Sequence, residues 1–96
     1  MMEIRQTEVY SRWFNSLRDR QARARLDARI RRLSLGNLGD VKLVGEGVSE
    51  LRIDYGPGYR VHFVQRGQTL VILLAGGDKH TQDQDLKTAR QLAQEL

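Results

Sequence analysis

The architecture of this chain follows from residues 50–63, which read ELRIDYGPGYRVHF. Gly56-Pro57-Gly58 is the strongest turn signal in the sequence, because glycine accepts backbone conformations that other residues avoid and proline fixes its own. The turn joins two runs in which apolar and polar residues alternate, which is the period of a half-buried strand. We therefore predict a β-hairpin with strands over residues 48–55 and 59–65.

Alternation along this hairpin also separates its two faces, because successive side chains of a strand point to opposite sides of the sheet. One face is apolar and carries Leu51, Ile53, Val61 and Phe63. The other face carries Arg52, Arg60 and His62. We expect this second face to be open and to attract a polyanion.

Three further segments have the character of strands. Residues 2–9 hold Ile4 and Val9 among polar residues and predict a short first strand. Residues 41–44 predict another, and the continuously apolar run 70–75 predicts a central strand that is covered on both faces. Because the turns between the later strands are short, most of the sheet should be antiparallel.

Apolar residues at helical spacing predict three helices. Residues 11–18 and 20–35 form a predicted helical hairpin, with one kinked helix as the alternative, and residues 81–96 form the last helix. The predicted N-caps are Ser11, Asp19 and, for the last helix, Thr81 or Asp83. The element order β-α-α-β-β-β-β-α predicts a two-layer α+β domain, with the helical hairpin on one face of the sheet.

Length and composition restrict the classes of protein to which this chain can belong. Its 96 residues leave room for one modest core, so we predict a single domain over residues 1–96. The absence of cysteine excludes disulfides and thiolate metal sites, and we expect neither a metal nor a cofactor. The N-terminus lacks an apolar leader, and no apolar run is long enough to cross a bilayer. We therefore expect a cytoplasmic location and no membrane partner.

The charge of the chain predicts an anionic partner. Net charge is +4, and 13 of the 16 basic residues are arginine, whose planar guanidinium binds phosphate through paired hydrogen bonds. The second predicted helix concentrates this charge, with six arginines against Asp27 alone. This helix is either a solvated outer face or a docking surface for RNA, DNA or an acidic protein.

The ordered set of motifs along the chain resembles the RelE/ParE superfamily of toxins from bacterial type II toxin–antitoxin systems. Within it, the chain is most similar to the HigB-like branch of phage-derived addiction module killer proteins. Each motif alone is weak, but together they span essentially the whole chain in the expected order. They are Arg29-Ile30-Arg31-Arg32-Leu33, Gly36-Asn37-Leu38-Gly39-Asp40, Lys42, Val44-Gly45-Glu46-Gly47-Val48, Glu50-Leu51-Arg52-Ile53, Gly56-Pro57-Gly58-Tyr59-Arg60-Val61, Gly76-Gly77-Asp78-Lys79, Thr81-Gln82 and Asp85-Leu86.

The resemblance implies a toxin with a cognate helix-turn-helix antitoxin from the adjacent gene. It further implies a heterotetramer of two toxins and two antitoxins, which reaches operator DNA only through the antitoxin. The best-studied relatives cleave mRNA on the ribosome, whereas ParE-like members inhibit DNA gyrase without catalysis, and superfamily membership does not choose between them. The basic residues favour the ribosome-dependent endoribonuclease. An inactive relic that still binds antitoxin and DNA is the third alternative.

Cleavage of RNA without a metal uses the 2′-OH as the nucleophile on the adjacent phosphodiester. The reaction needs a proton acceptor, a proton donor and cations that stabilise the charge developing at phosphorus. The candidate catalytic residues are Arg60, Arg52, Lys79, His62 and His80. The candidate RNA-binding residues are Lys42, Arg52, Arg60 and Lys79.

The individual assignments have different origins. Arg60 ranks first because its counterpart in RelE-like nucleases contacts the scissile phosphate; the alternative is a surface arginine paired with Glu50 or Asp54. Resemblance also places a basic catalytic or phosphate-binding residue at Lys79. Histidine suits proton transfer near neutral pH. The family often has Tyr in place of His62 and Ser in place of His80, however, so the resemblance assigns neither a role. Lys42 has an alternative role as an edge-strand lysine that opposes aggregation.

Overall fold

Five strands and three helices make up the computed structural model, which describes all residues 1–96. The elements are β1 (Glu3–Gln6), α1 (Glu8–Ser16), α2 (Arg20–Ser34), β2 (Val41–Leu43), β3 (Val48–Ile53), β4 (Tyr59–Arg66), β5 (Leu70–Gly77) and α3 (Gln82–Gln94). The sheet has the strand order β1-β5-β4-β3-β2. Only β1 and β5 pair in parallel, and the other three pairs are antiparallel. The predicted α+β class and mostly antiparallel sheet are confirmed.

The first helix begins earlier than its sequence predicts. The N-cap of α1 is Thr7, whose hydroxyl oxygen accepts a hydrogen bond from the Tyr10 backbone N–H at 3.1 Å. The same hydroxyl donates to the Leu74 carbonyl of β5 at 2.6 Å. Ser11, the predicted cap, lies inside the helix, so that prediction is wrong. Both residues are able to cap a helix, and the bond to β5 selects Thr7.

The other helix boundaries follow the predictions more closely. The Asp19 carboxylate caps α2 by accepting from the backbone N–H groups of Gln21 at 2.9 Å and Ala22 at 3.3 Å. After Ser34 the chain passes Gly36 at a φ of 91°, a left-handed conformation that favours glycine. Thr81 occupies the N-cap position of α3, although its side chain makes no capping bond. None of the three helices combines the length and apolar character that a membrane-spanning segment requires.

The helical hairpin of α1 and α2 covers the apolar face of the sheet, as predicted. The core between them consists of Tyr10, Ala22, Leu26, Leu33, Leu51, Ile53, Tyr59, Val61, Phe63, Val71 and Leu73. The Trp13 ring of α1 lies directly over Gly76 of β5, where even one added Cβ would collide with the ring. Glycine at this position therefore lets α1 approach the sheet closely.

The C-terminal helix covers part of the opposite face. Ala89 of α3 is buried in a second, smaller cluster with Val48, Val64, Leu74 and Ala75. Because the first face is already filled by α1 and α2, the apolar stripe of α3 is buried on the second face. The prediction that this second face is open is therefore wrong over much of its area. The end of the sheet at the β3–β4 turn stays open on this side, where the Arg52 side chain is partly exposed.

Candidate functional site

The pairing of β3 with β4 places two arginines opposite each other at the open end of the second face. Arg52 is the cross-strand partner of Arg60, and Glu50 is the partner of His62. Like charges directly opposite each other on neighbouring strands repel. Each guanidinium is held by its own carboxylate, and this arrangement allows the pair to persist.

Glu50 holds Arg60 through a buried ion pair. Arg60 Nη1 donates to Glu50 Oε1 at 2.8 Å; 15% of the Arg60 side chain and 1% of the Glu50 side chain are exposed. Gln82, from the first turn of α3, donates through Nε2 to Glu50 Oε2 at 3.2 Å. Burial alone would raise the pKa of the Glu50 carboxyl, but hydrogen bonds from His62 and Arg60, together with their charges, lower it below the ordinary value.

His62 is the fourth member of the network around Glu50. Its side chain is fully buried, and Nε2 lies 3.0 Å from Glu50 Oε2. Because an ionised Glu50 only accepts hydrogen bonds, the proton of His62 must be on Nε2. Nδ1 has no hydrogen-bond partner within the protein. The expectation that His62 lies on an open face is wrong, because α3 covers it and it contacts Glu50 instead of a ligand.

Asp40 holds the second arginine, and this pair is exposed. Arg52 Nη2 lies 3.1 Å from Asp40 Oδ1, with 39% of the Arg52 side chain and 59% of the Asp40 side chain exposed. The Nε atoms of Arg52 and Arg60 have no hydrogen-bond partner within the protein. Both Nε atoms are buried, so the N–H groups that remain accessible to a ligand are those at the exposed ends of the two guanidiniums.

The arginines open into a shallow cleft of about 360 Å³, which we call the hairpin cleft. Its lining is formed by Asp40, Arg52, Ile53, Asp54, Gly58, Tyr59, Arg60 and Lys79. Lys79 is exposed and lies in the loop that joins β5 to α3. The structure thus brings together Arg52, Arg60 and Lys79, three cations that the sequence named as candidates. Guanidinium and ammonium groups are the side chains that bind phosphate in proteins, and here they share the cleft with the carboxylates of Asp40 and Asp54.

Residues 12–95 match the model of the family described as Phage derived protein Gp49-like (DUF891). This chain belongs to that family. The Gp49-like family is associated with addiction-module killer proteins. The chain is also 50% identical over 95 residues to an uncharacterised protein of Haemophilus influenzae, in an alignment that covers 99% of this chain and 96% of the relative. No solved structure is significantly similar to this chain.

Two candidate residues of this Gp49-like protein lie outside the hairpin cleft. Lys42 is exposed on the edge strand β2, where it is the cross-strand partner of Glu50. His80 follows Lys79, but its side chain is 84% exposed, and its Nδ1 lies 3.7 Å from Asp78 Oδ1. Neither side chain lines the cleft. Any contact that they make with a ligand would therefore be at its margin.

The residue that sequence reasoning undervalued in the Gp49-like protein is Glu50. It entered only as the partner of a surface arginine, whereas the structure makes it the buried centre of a four-residue network. A signal was present, because strand parity places the Glu50 carboxylate on the same face as Arg52, Arg60 and His62. That face was predicted to be open, so its burial beneath α3 and the need of the Glu50 carboxylate for cationic or hydrogen-bonding partners were not foreseen.

Proposed function

We propose that this Gp49-like protein is the toxin of a type II toxin–antitoxin module, in the HigB-like branch of the RelE/ParE superfamily. In this proposal it cleaves mRNA on the ribosome. The observation that carries the proposal is the hairpin cleft, in which Arg52, Arg60 and Lys79 converge on one small volume. Family membership and the ordered motifs support the same assignment.

The chemistry assigned to the cleft is cleavage without a metal. The 2′-oxygen attacks the adjacent phosphorus, the bond from phosphorus to the 5′-oxygen breaks, and the products are a 2′,3′-cyclic phosphate and a 5′-hydroxyl. Arg60 and Arg52 donate to the phosphate oxygens as negative charge accumulates there. Lys79 is the proton donor available to the leaving 5′-oxygen. Asp54, which pairs with no cation, is the cleft carboxylate free to accept the 2′-OH proton.

Fixing Arg60 before the substrate arrives is the contribution of the buried network. A guanidinium that is already held by Glu50 loses little conformational freedom when it binds phosphate. Because one edge of the guanidinium is occupied by Glu50, the remaining N–H groups are directed elsewhere. Oriented donors of this kind stabilise a transition state without having to reorganise during the reaction.

The proposed partners follow from the same assignment. The ribosome positions the mRNA, and a helix-turn-helix antitoxin from the adjacent gene neutralises the toxin. The two proteins form a heterotetramer that binds operator DNA through the antitoxin. All of these components act in the cytoplasm.

Expression in a bacterium, with and without the adjacent gene, tests the proposal when mRNA 5′ ends are mapped. We expect new ends at codon boundaries, suppressed by the neighbouring gene. Removal of one donor that stabilises the charge of a transition state costs roughly 10²–10³ in rate. Both Arg60→Ala and the exposed Lys79→Ala should therefore abolish most cleavage. Arg12→Ala, which removes an exposed arginine on α1, is the control. Growth arrest with intact mRNA would instead indicate gyrase or another target, and normal growth would indicate an inactive relic.

A further inference from the structure

A second cationic cleft lies beside the hairpin cleft. Arg25, Arg29 and Arg32 are spaced by four and three residues, so they project from one side of α2. Together with Ala28, Ile53 and Asp54 they line a cleft of about 220 Å³. We call it the α2 cleft.

The arginines of α2 have few carboxylates to neutralise them. The ion pairs of the protein involve Arg5, Arg12, Arg52, Arg60 and the two histidines, but no arginine of α2. Within the helix, Asp27 is the only acidic residue among six arginines. The positive potential of this surface is therefore opposed only weakly, by Asp54 in the cleft wall and by Asp19, whose charge interacts with Arg25.

Two of these arginines are held in place before any ligand binds. Arg29 Nη1 donates to the backbone carbonyl of Arg52 at 2.8 Å. Arg25 lies over the ring of Tyr55, with its guanidinium carbon 4.5 Å from the ring centroid. Tyr55 is itself anchored, because its hydroxyl donates to Asp19 at 2.9 Å. Guanidiniums fixed by stacking and by backbone bonds bind an anion at a lower entropic cost than mobile ones.

The two clefts are neighbours that share one wall. Ile53 and Asp54, at the end of β3, line both of them. Arg29 strengthens this connection, since the carbonyl that it binds belongs to Arg52 of the hairpin cleft. A strand of linked phosphates that leaves the hairpin cleft over this wall therefore meets the α2 cleft next.

We propose that the α2 cleft binds a backbone phosphate of the same RNA strand whose scissile phosphate occupies the hairpin cleft. The inference rests on the proposed function in one respect, which is that the strand is RNA. The α2 cleft is smaller than the sites that hold drug-sized ligands. Its size and its guanidiniums suit a single phosphate group better than a segment of acidic protein.

Binding of uncleavable 2′-O-methyl oligonucleotides over a range of salt concentrations tests this proposal. The cleft variant is Arg25→Gln with Arg32→Gln, which leaves the backbone bonds of Arg29 intact. The control is Arg20→Gln with Arg31→Gln, which removes the same charge from the same helix but from residues that line neither cleft. For a hexanucleotide, we expect the slope of log affinity against log salt to become shallower by about 0.7 in the cleft variant only, which is the value for one single-strand phosphate.

A dinucleotide sharpens the measurement, because its one phosphate is held in the hairpin cleft. We expect its affinity to be the same in the wild type and the cleft variant. Equal losses in the cleft and control variants, or no change for the hexanucleotide, would overturn the proposal. A loss of polyglutamate binding without a loss of RNA binding would overturn it in favour of an acidic protein partner.

The same experiment separates this proposal from the proposed function. Uncleavable RNA reports on binding alone, so the difference in slope is measured whether or not the wild type cleaves mRNA on the ribosome. Failure of the proposed function appears as intact mRNA with the slope difference preserved. Failure of the further inference appears as cleavage with equal slopes in both variants.

Discussion

The two arginines of the hairpin cleft, Arg52 and Arg60, have the same sequence pattern and opposite surroundings. They occupy equivalent positions on neighbouring strands, face each other directly, and are each paired with one carboxylate. The pair of Arg60 with Glu50 lies beneath α3 and is buried, whereas the pair of Arg52 with Asp40 is exposed to solvent. Alternation along a strand determines the face of a side chain, but the packing of a distant helix determines its exposure.

This difference assigns separate roles to the two arginines. A buried ion pair is strongly coupled to the fold, because loss of one partner leaves an uncompensated charge away from water. An exposed pair contributes little to stability and rearranges readily. Arg60 is therefore the rigid donor of the cleft, and Arg52 is the adaptable one.

Substitution of Glu50 should have the largest effect on stability. Glu50→Ala leaves Arg60 and His62 without their shared acceptor, and breaking a buried pair in this way costs about 3–5 kcal/mol. Urea denaturation followed by circular dichroism measures the change in the free energy of unfolding. Glu8→Ala, which removes an exposed partner of Arg12, is the control and should cost much less. Similar losses for the two variants would mean that Glu50 is not the centre of a coupled network.

Asp54 differs from Glu50 and Asp40, because it lines the hairpin cleft without an arginine partner. If it accepts the 2′-OH proton, Asp54→Asn should slow cleavage by roughly 10²-fold or more, the usual range for a general base. The same change removes a negative charge between the two cationic clefts, so uncleavable RNA should bind more tightly. The cleavage rate should therefore fall while the affinity for RNA rises. A variant that loses both activities together would assign Asp54 a structural role.

Much of the fold was accessible from sequence because it depends on local signals. The Gly56-Pro57-Gly58 turn and the alternating runs beside it predicted the β3–β4 hairpin, and both glycines of the turn have a positive φ. Asp19 was predictable as a cap because its carboxylate accepts from backbone N–H groups only two and three residues further along the chain. The location of Arg52 and Arg60 on one face followed from parity alone, whereas their direct pairing is set by the register of the two strands.

The remaining features depend on contacts between residues far apart in the chain. Thr7 displaces Ser11 as the cap because it also bonds to Leu74, which lies 67 positions further along the chain. His62 is buried because the apolar stripe of α3 packs above it, and that stripe is equally compatible with either face of the sheet. The Asp40 pair depends on the path of the loop that precedes β2. No local pattern in the sequence encodes any of these three contacts.

Acid should destabilise the fold through the buried pair of Arg60 with Glu50. The pKa of the folded Glu50 carboxyl lies below its ordinary value of 4.5, so the unfolded chain takes up its proton first as the pH falls. The contribution of Glu50 is complete above about pH 4.5 and is lost as the pH falls through the lowered folded pKa. Each unit of difference in pKa corresponds to about 1.4 kcal/mol.

Glu50→Gln keeps the shape of the side chain but removes this titration. Its free energy of unfolding, measured by urea denaturation at stepped pH, should change less steeply below pH 4.5 than that of the wild type. Glu8→Gln serves as the control, because it removes a carboxylate from an exposed pair. Parallel pH profiles for the wild type and Glu50→Gln would show that other carboxyls govern acid unfolding.

Removal of the exposed carboxylate should have the smallest effect. Asp40→Ala breaks a pair that solvent already screens, and we expect a loss of about 0.2–1 kcal/mol in the free energy of unfolding. Arg52 then loses a competing anion, so uncleavable RNA should bind at least as tightly as it does to the wild type. High salt should remove the small difference in stability, because it screens exposed pairs more than buried ones. A loss as large as that of Glu50→Ala would show that the two arginines are held equally, and would remove the distinction between a rigid and an adaptable donor.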